Sequence, residues 1–334
     1  MTGFRPYFRA HLRSGVKTLI YLIIITLILT VIIGMNAQVE KPLYYPDAIA
    51  PTYYYSTLYI PVIFLCFLIY LVPLLEFSFF KKRINLNCAY SMPISRRAMG
   101  VVHYLSGAIT ITTVYTLSYL ANFILLLTRE PGHYVFQPMI EHYFLTLVFG
   151  LAIYSLMCFV FNEANTAGDG VCFMILWTFV LFFVNIAAAY IFDFKANTVF
   201  GSIPWELISK LTSHYERLCE MNFATNSFFW QNSVLVSWLV IWILIGLASA
   251  LGLIFTFGKR RTEKTEEISD SFFGYRVLIP IYAATGMYIL RNIVFWVIFE
   301  VLALIGYTIY RRGFRYKLSD IIILLSLLIF LIFI

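Results

Sequence analysis

A short polar segment between two long apolar stretches carries the densest set of residues able to do chemistry. It reads Ser91-Met92-Pro93-Ile94-Ser95-Arg96-Arg97 and follows the basic run Lys81-Lys82-Arg83. Pro93 disfavours helix in the residue before it, and the Ser95 hydroxyl can cap the free N–H groups of a helix that begins behind it. Arg96 and Arg97 can pair with acidic groups on a partner or with lipid phosphate. They also suit a simpler role in setting membrane orientation, and the two roles are compatible.

Patterns for catalysis, nucleotide binding or metal binding are missing from the sequence. The nearest approach to a phosphate loop is Gly252…Gly258-Lys259-Arg260, which has one residue too many between the glycines and Arg where Ser or Thr must reach magnesium. No two of the 5 histidines stand at a metal-ligand spacing with a carboxylate that would complete a site. The 5 cysteines form no CxxC pair. We expect no catalytic residue, metal or cofactor on this chain, so that any ATP and magnesium belong to a partner.

Several polar residues lie inside the apolar stretches, where they are functional candidates. The stretch after the polar segment holds a group that could line a transport path, and a later stretch holds Glu300 about halfway along; the candidates are Ser106, Thr110, Thr113, Asn122 and Glu300. Hydroxyl and amide side chains also serve as contacts between packed helices, and that alternative stays open. Glu76 lies near the end of the second stretch, where Lys81 or lipid headgroups are its expected partners.

The composition indicates a membrane protein. Of the 334 residues, 61% are hydrophobic and 12% are charged, whereas a soluble domain has about 25% charged residues. A chain this poor in charge cannot cover a water-facing surface, so the predicted class is an all-α polytopic membrane protein. The net charge of +7 is explained by basic loops that set membrane orientation, and nucleic acid is not an expected partner.

Apolar stretches of about the length that spans a bilayer recur along the chain. They cover residues 19–35, 58–80, 99–127, 139–161, 171–192, 231–257, 275–290, 293–310 and the short 320–334. Most of the 24 Lys and Arg residues fall on one side when the N-terminus is placed in the cytoplasm. Residues 275–310 then form a hairpin that turns at Arg291-Asn292, or a re-entrant loop.

These stretches predict four parts of the chain. Residues 1–18 form either a basic amphipathic helix on the inner leaflet or an ordinary basic flank. Residues 19–257 form a core of six spans. Residues 258–274 form a charged cytoplasmic linker, and residues 275–334 form additional membrane segments. Between the fifth and sixth spans, Ser202-Ile203-Pro204 resembles a helix start. Leu207, Ile208, Leu211 and Tyr215 then recur at helical spacing and predict a short amphipathic helix on the outer side.

The segment Ser91–Arg97 resembles the "LPISR(R)" element that follows the second span in type-2 permeases of ATP-binding-cassette (ABC) exporters, with Met92 in place of the commoner Leu. The basic N-terminal helix, the six spans and the outer helix extend the resemblance over about residues 1–265. Residues 266–334 resemble the extra spans of some Firmicute members.

The resemblance implies a mechanical role. Two permease chains, identical or homologous, would pair in the bacterial cell membrane, and each would dock a separate ABC-type ATPase through Ser91–Arg97. The cargo would be amphiphilic: a peptide, an antibiotic or a lipid-like molecule. An ion-coupled secondary transporter and a non-transporting sensor or assembly protein remain alternatives. A membrane-embedded enzyme would need a clustered carboxylate and histidine site, which the sequence does not indicate.

Overall fold

The computed structural model describes residues 4–36, 58–129, 136–192, 203–219, 228–259, 271–290, 293–311 and 316–332, together with 263, 265–267, 269 and 314. These residues form α-helices, one 3₁₀ turn (Ser78–Lys81) and no strand. The helices are α1 (Phe4–Asn36), α2 (Tyr59–Phe77), α3 (Arg83–Tyr90), α4 (Arg96–Arg129), α5 (Phe136–Glu163), α6 (Ala167–Phe192), α7 (Pro204–Cys219), α8 (Ser233–Phe257), α9 (Tyr275–Leu290), α10 (Ile293–Arg311) and α11 (Leu318–Ile332), with a single turn at Phe228–Gln231.

Six helices in the described part of the chain are long and apolar enough to cross a membrane: α1, α2, α4, α5, α6 and α8. They coincide with the six predicted core spans, and the protein is an all-α, multi-pass membrane protein, as its composition predicts. The later apolar stretches are also helical, but α9 and α11 have only 16 and 15 residues. At about 1.5 Å per residue these two helices are shorter than a bilayer core of about 30 Å.

Residues 4–18 do not form a separate helix. They run directly into the first predicted span as part of α1, which has 33 residues and is therefore about 50 Å long. The basic N-terminal portion thus extends the spanning helix beyond the thickness of a hydrocarbon core. Within it, Tyr7 and His11 reach α2 and α4 through hydrogen bonds to His103 and Glu76. These contacts anchor the N-terminal portion of α1 to the two other helices.

The helices group into two compact units that differ from the predicted core and appendix. The first unit comprises Met1–Glu76, Met92–Cys158 and Pro204–Gly258; the second comprises Phe77–Ser91, Phe159–Ile203 and Lys259–Ile334. The fifth predicted span, α6, therefore groups with the C-terminal helices. Its contacts account for this, since Trp177 donates a hydrogen bond to the Phe273 carbonyl and Tyr282 donates one to the Leu176 carbonyl.

The first unit is held together by apolar packing with hydroxyl pairs between helices. Leu65 and Leu68 of α2 and Ile111 and Val114 of α4 are completely buried. The Thr30 and Ser118 hydroxyls join α1 to α4 at 2.8 Å. Such pairs satisfy polar groups where water is absent, and they allow close helix approach.

The amphipathic helix predicted between the fifth and sixth spans forms as α7, and its apolar face is buried in the first unit. A polar network lies beneath it. His142 of α5 is fully buried and hydrogen-bonds the Tyr119 hydroxyl of α4 at 3.1 Å and the Thr212 hydroxyl of α7 at 3.2 Å. His142 is thus a packed contact that joins α5 to α4 and α7.

This network predicts the effect of removing the Thr212 hydroxyl. Thr212→Val keeps the shape of the side chain but leaves one buried nitrogen of His142 without its partner on α7. We expect the free energy of unfolding to fall by about 1–3 kcal/mol. Chemical unfolding of the purified chain in detergent measures this effect. Thr128→Val is the matched control because Thr128 is exposed and bonds only its own helix in the structure. An equal effect of both substitutions would contradict the role given to the network.

The second unit contains a lysine that the sequence assigns to a simple basic loop. Lys81 is buried, with 3% of its surface exposed, and its ammonium group lies over the Phe161 ring at 4.8 Å. It donates hydrogen bonds to the carbonyl oxygens of Phe161 and Ala164 at 2.5 Å and of Asn162 at 3.3 Å. These carbonyls lie at and just beyond the end of α5, where a cation offsets the helix dipole.

The charged segment between α8 and α9 has exposed acidic residues, as a charged linker should, but two of its hydroxyl residues are buried. Thr265 and Ser269 are each 1% exposed. The Arg83 guanidinium donates to the Glu263 carbonyl at 3.0 Å, and the Arg83 backbone N–H donates to the Glu266 carboxylate at 3.1 Å. The Glu263 carbonyl and the exposed Glu266 carboxylate therefore connect this segment to α3 in the second unit.

Candidate functional site

The segment Ser91–Arg97, called the basic box below, forms the turn between α3 and α4. The Ser91 hydroxyl donates to the Cys88 carbonyl oxygen at 2.7 Å and so closes the end of α3. The Ile94 backbone N–H donates to the Met92 carbonyl at 2.8 Å, which makes a tight turn around the proline. All members of the box except Ile94 are exposed. The box is therefore an ordered surface feature whose side chains a partner can reach.

Ser95 caps α4, as predicted. Its hydroxyl oxygen accepts a hydrogen bond from the Ala98 N–H at 3.2 Å, and its carbonyl oxygen accepts one from the Met99 N–H at 3.0 Å. A capping serine satisfies one of the free N–H groups of the first turn. The cap fixes the point at which the exposed turn becomes the membrane helix α4.

The two arginines of the box differ in their surroundings. Both are exposed, but Arg97 also packs on the end of α8. Its guanidinium lies over the Phe255 ring at 5.8 Å, and its aliphatic stem passes so close to Gly258 that an added Cβ there would lie 2.8 Å away. Arg97 therefore joins two helices of the first unit in addition to carrying charge.

The candidate transport-path residues on α4 do not form one row. Ser106, Thr110 and Thr113 share a helix face, but Asn122 lies nearly opposite, because 16 residues at 3.6 per turn rotate it by about 160° from Ser106. Thr110 and Thr113 are partly exposed, whereas Ser106 and Asn122 are buried. The Asn122 side-chain oxygen has no hydrogen-bond partner among the described residues. A path lined by all four residues is therefore not supported by their geometry.

Glu300, the remaining candidate, belongs to the second unit. It lies in the middle of α10, is partly buried, and its Oε2 has no hydrogen-bond partner within the described part of the chain. Arg291, the nearest basic residue in sequence, lies outside the described residues. No contact of Glu300 favours transport over packing, so its role in transport stays a prediction.

A cluster of ionisable side chains that the sequence does not reveal lies at one end of the first unit. Glu76 Oε2 lies 2.8 Å from His11 Nε2 and 3.1 Å from His103 Nδ1. The three side chains come from α2, α1 and α4, and their potential ligand atoms lie within 4.8 Å of one another. The side chains of Glu76 and His103 are 13% and 6% exposed, and that of His11 is 21% exposed. Glu76 thus pairs with two histidines, whereas the sequence predicts Lys81 or lipid headgroups as its partners.

Two further hydroxyl groups orient this cluster. The Ser106 hydroxyl donates to Glu76 Oε1 at 2.9 Å, which places this candidate path residue in a polar contact instead of a lining. The Tyr7 hydroxyl lies 3.2 Å from His103 Nε2. Tyr7 also stacks on His11 with ring centroids 6.3 Å apart. Ser106 therefore holds the Glu76 carboxylate, and Tyr7 holds the His103 imidazole. Each does so through the atom that is not directed at the other ionisable side chains of the cluster.

One feature of the sequence indicates that these three side chains could lie near one another. With alternating directions of the first three spans, the start of α1, the end of α2 and the start of α4 lie at the same level, and each of these places carries an ionisable residue. The residues are 65 positions apart or more from His11, so a search for short metal-ligand spacings cannot find them. The three side chains meet only if their helices have suitable rotations about their own axes, and the hydropathy pattern does not show these rotations.

An apolar groove lies along α4 and α5, in the half of α4 away from the basic box. Its volume is about 410 Å³, and its walls are Thr116, Tyr119, Leu120, Phe123, Met139, Ile140, Tyr143 and Phe144. The Thr116 and Tyr143 hydroxyls pair at 2.6 Å within it. The groove offers aromatic and aliphatic surface with a few hydroxyls.

Comparison with models of known protein families and with curated proteins finds no match to this chain.

Proposed function

We propose that the chain is the membrane-spanning subunit of an ABC exporter, driven by a separate ATPase subunit. The observation that carries the proposal is the basic box: an exposed turn with two arginines, closed on one side by Ser91 and capped on the other by Ser95. Such a turn gives an acidic partner surface a rigid attachment to a membrane helix. The resemblance of this segment to the type-2 permease element supports the same reading.

The distribution of Lys and Arg along the chain supports the membrane orientation that the proposed exporter needs, with the N-terminus and the basic box in the cytoplasm. Lys and Arg residues accumulate in cytoplasmic loops of membrane proteins. With the N-terminus inside, alternating spans put the basic box on the same side as the N-terminal arginines. The proposed ATPase then meets the box from the cytoplasm. A second permease chain, identical or homologous, would complete the transporter in the cell membrane.

The groove along α4 and α5 supports an amphiphilic cargo. Its aromatic and aliphatic walls suit an acyl chain or the apolar face of a peptide, while the Thr116–Tyr143 pair provides hydroxyls for a polar group. Sites for small molecules are mostly apolar with few polar groups. The class of cargo proposed is therefore a peptide, an antibiotic or a lipid-like molecule, moved outward with energy from ATP.

Charge reversal at the box tests the proposed docking role. Arg96→Glu places a like charge against the acidic surface of the ATPase and should reduce the amount of co-purified ATPase by about tenfold or more. Arg96 is preferred to Arg97, because Arg97 also packs on Phe255. The measurement is the ratio of ATPase to permease after affinity purification in mild detergent.

The matched control for this experiment is Arg13→Glu. Arg13 is exposed on the basic part of α1, so its reversal changes net charge and inner-side charge by the same amount as Arg96→Glu. We expect the Arg13 variant to retain its ATPase. If Arg96→Glu retains it equally, the box is not the docking element.

A further inference from the structure

We propose that His11, Glu76 and His103 form a binding site for one divalent transition-metal ion such as Zn²⁺. The site lies entirely within the first unit and does not depend on the proposed exporter function. Two imidazole nitrogens and one carboxylate oxygen are a ligand set that proteins use for Zn²⁺, leaving a fourth position for water. The same set suits other divalent transition metals with nitrogen and oxygen ligands, and is a poor match for Ca²⁺ and Mg²⁺, which prefer oxygen alone.

The distances within the cluster fit such an ion. Bonds of about 2.0–2.1 Å in tetrahedral geometry place neighbouring ligand atoms about 3.3 Å apart. Glu76 Oε2 lies 2.8 Å from His11 Nε2 and 3.1 Å from His103 Nδ1, and the two imidazole rings have centroids 4.0 Å apart. The two oxygen–nitrogen separations are already within about 0.5 Å of this value. The three ligand atoms lie within 4.8 Å of one another, so rotation of the side chains must bring the two histidine nitrogens to the ion.

The surrounding hydrogen bonds leave the right atoms for the metal. Ser106 occupies Glu76 Oε1, so that Oε2 is the oxygen directed toward the histidines. Tyr7 lies beside His103 Nε2, which fixes the ring so that Nδ1 faces the cluster. Metal-bound histidines nearly always donate their second N–H to an oxygen, and metal-bound carboxylates are also hydrogen-bonded. Both supports are present before any ion is bound.

The position of the ligands indicates what the ion does. Each ligand belongs to a different helix, so a bound ion links α1, α2 and α4 where their ends carry the basic residues. His103 lies about two turns beyond the capping Ser95. A metal bound here tightens the anchorage of the helix that begins at the basic box. Without a metal, the three side chains would be a hydrogen-bonded triad that holds the helices only through Glu76.

The two readings are distinguished by metal loading of the full-length chain. The protein is purified in detergent through a tag without histidine, treated with a chelator, loaded with Co²⁺ and dialysed. We expect one bound Co²⁺ per chain and the intense visible absorption of a tetrahedral ion with nitrogen and oxygen ligands. Zn²⁺ should displace the Co²⁺ and raise the midpoint of thermal unfolding. Absence of stoichiometric Co²⁺ from the folded wild-type chain would overturn the proposal.

Substitutions assign the ion to these residues. Glu76→Gln and His103→Ala should each lower metal affinity by more than about 100-fold, and Ser106→Ala should lower it by about 10-fold through loss of the supporting bond. Matched controls are Glu206→Gln, at a partly exposed carboxylate on α7, and His214→Gln, at a histidine also on α7. Circular dichroism establishes that each variant is folded. The assignment would also be overturned if folded Ser106→Ala and at least one folded ligand variant, each measured separately, bound Co²⁺ as tightly as the wild-type chain.

Discussion

Replacing Gly246 by alanine should destabilise the protein strongly. Gly246 on α8 faces Ala152 on α5, and a Cβ added at Gly246 would lie 2.6 Å from both the Cα and the carbonyl oxygen of Ala152. These are backbone atoms, so the helices must separate to make room. Overpacking of this kind costs about 1–3 kcal/mol, and occasionally more. We expect the free energy of unfolding in detergent to fall by about 2 kcal/mol for Gly246→Ala and by more for Gly246→Leu.

The control is Gly15→Ala on α1. A Cβ at Gly15 meets no atom within 4 Å, and alanine is the better helix former by about 0.5–1 kcal/mol. The same chemical change should therefore leave the protein unaltered or slightly more stable. Similar responses at the two positions would contradict the close α5–α8 contact. The sequence of α8 contains small residues four positions apart, Gly246 with Ala250 and Ala248 with Gly252, which permit close helix approach. Only the structure identifies α5 as the partner.

Removing the ammonium group of Lys81 should have the second large effect. Lys81→Met retains the apolar stem but takes away the donor for three carbonyl oxygens at the end of α5. Each buried acceptor without a partner costs about 1–3 kcal/mol, although some recover a bond by local rearrangement. We expect a loss of about 3 kcal/mol in the free energy of unfolding, measured by chemical denaturation in detergent.

Lys82→Met separates this effect from the loss of a positive charge. Lys82 is the adjacent residue and is exposed, so both substitutions reduce the charge of the same loop equally. Exposed positions usually change stability by less than about 0.5 kcal/mol. If the two variants lose equal stability, or if only membrane orientation changes, the buried role of Lys81 is wrong.

The sequence predicts the helices well, because a bilayer imposes length and hydropathy on each one. The apolar stretch 231–257 becomes α8 at Ser233–Phe257, and the periodic apolar residues after Pro204 become α7. Ser95 caps α4 because capping needs only atoms within one turn. Features fixed by local chemistry or by chain length are therefore readable from the sequence.

Features that depend on which helices pack together cannot be predicted from hydropathy or local sequence. Lys81 and Lys82 look alike in the sequence, but one lies beneath the end of α5 and the other on the surface. His11 and His103 are 92 positions apart and meet only because of the way α1 and α4 are rotated. Likewise, nothing in the hydropathy of α6 indicates that Trp177 and Leu176 will bond residues near α9.

The most direct test of the proposed function is affinity purification of the tagged wild-type chain from its native membrane in mild detergent, read by mass spectrometry. The proposal predicts an ABC-type ATPase in stoichiometric amount with the permease. A folded preparation that contains no such ATPase would contradict the proposal. Attention would then move to a secondary transporter or a sensor, beginning with Glu300.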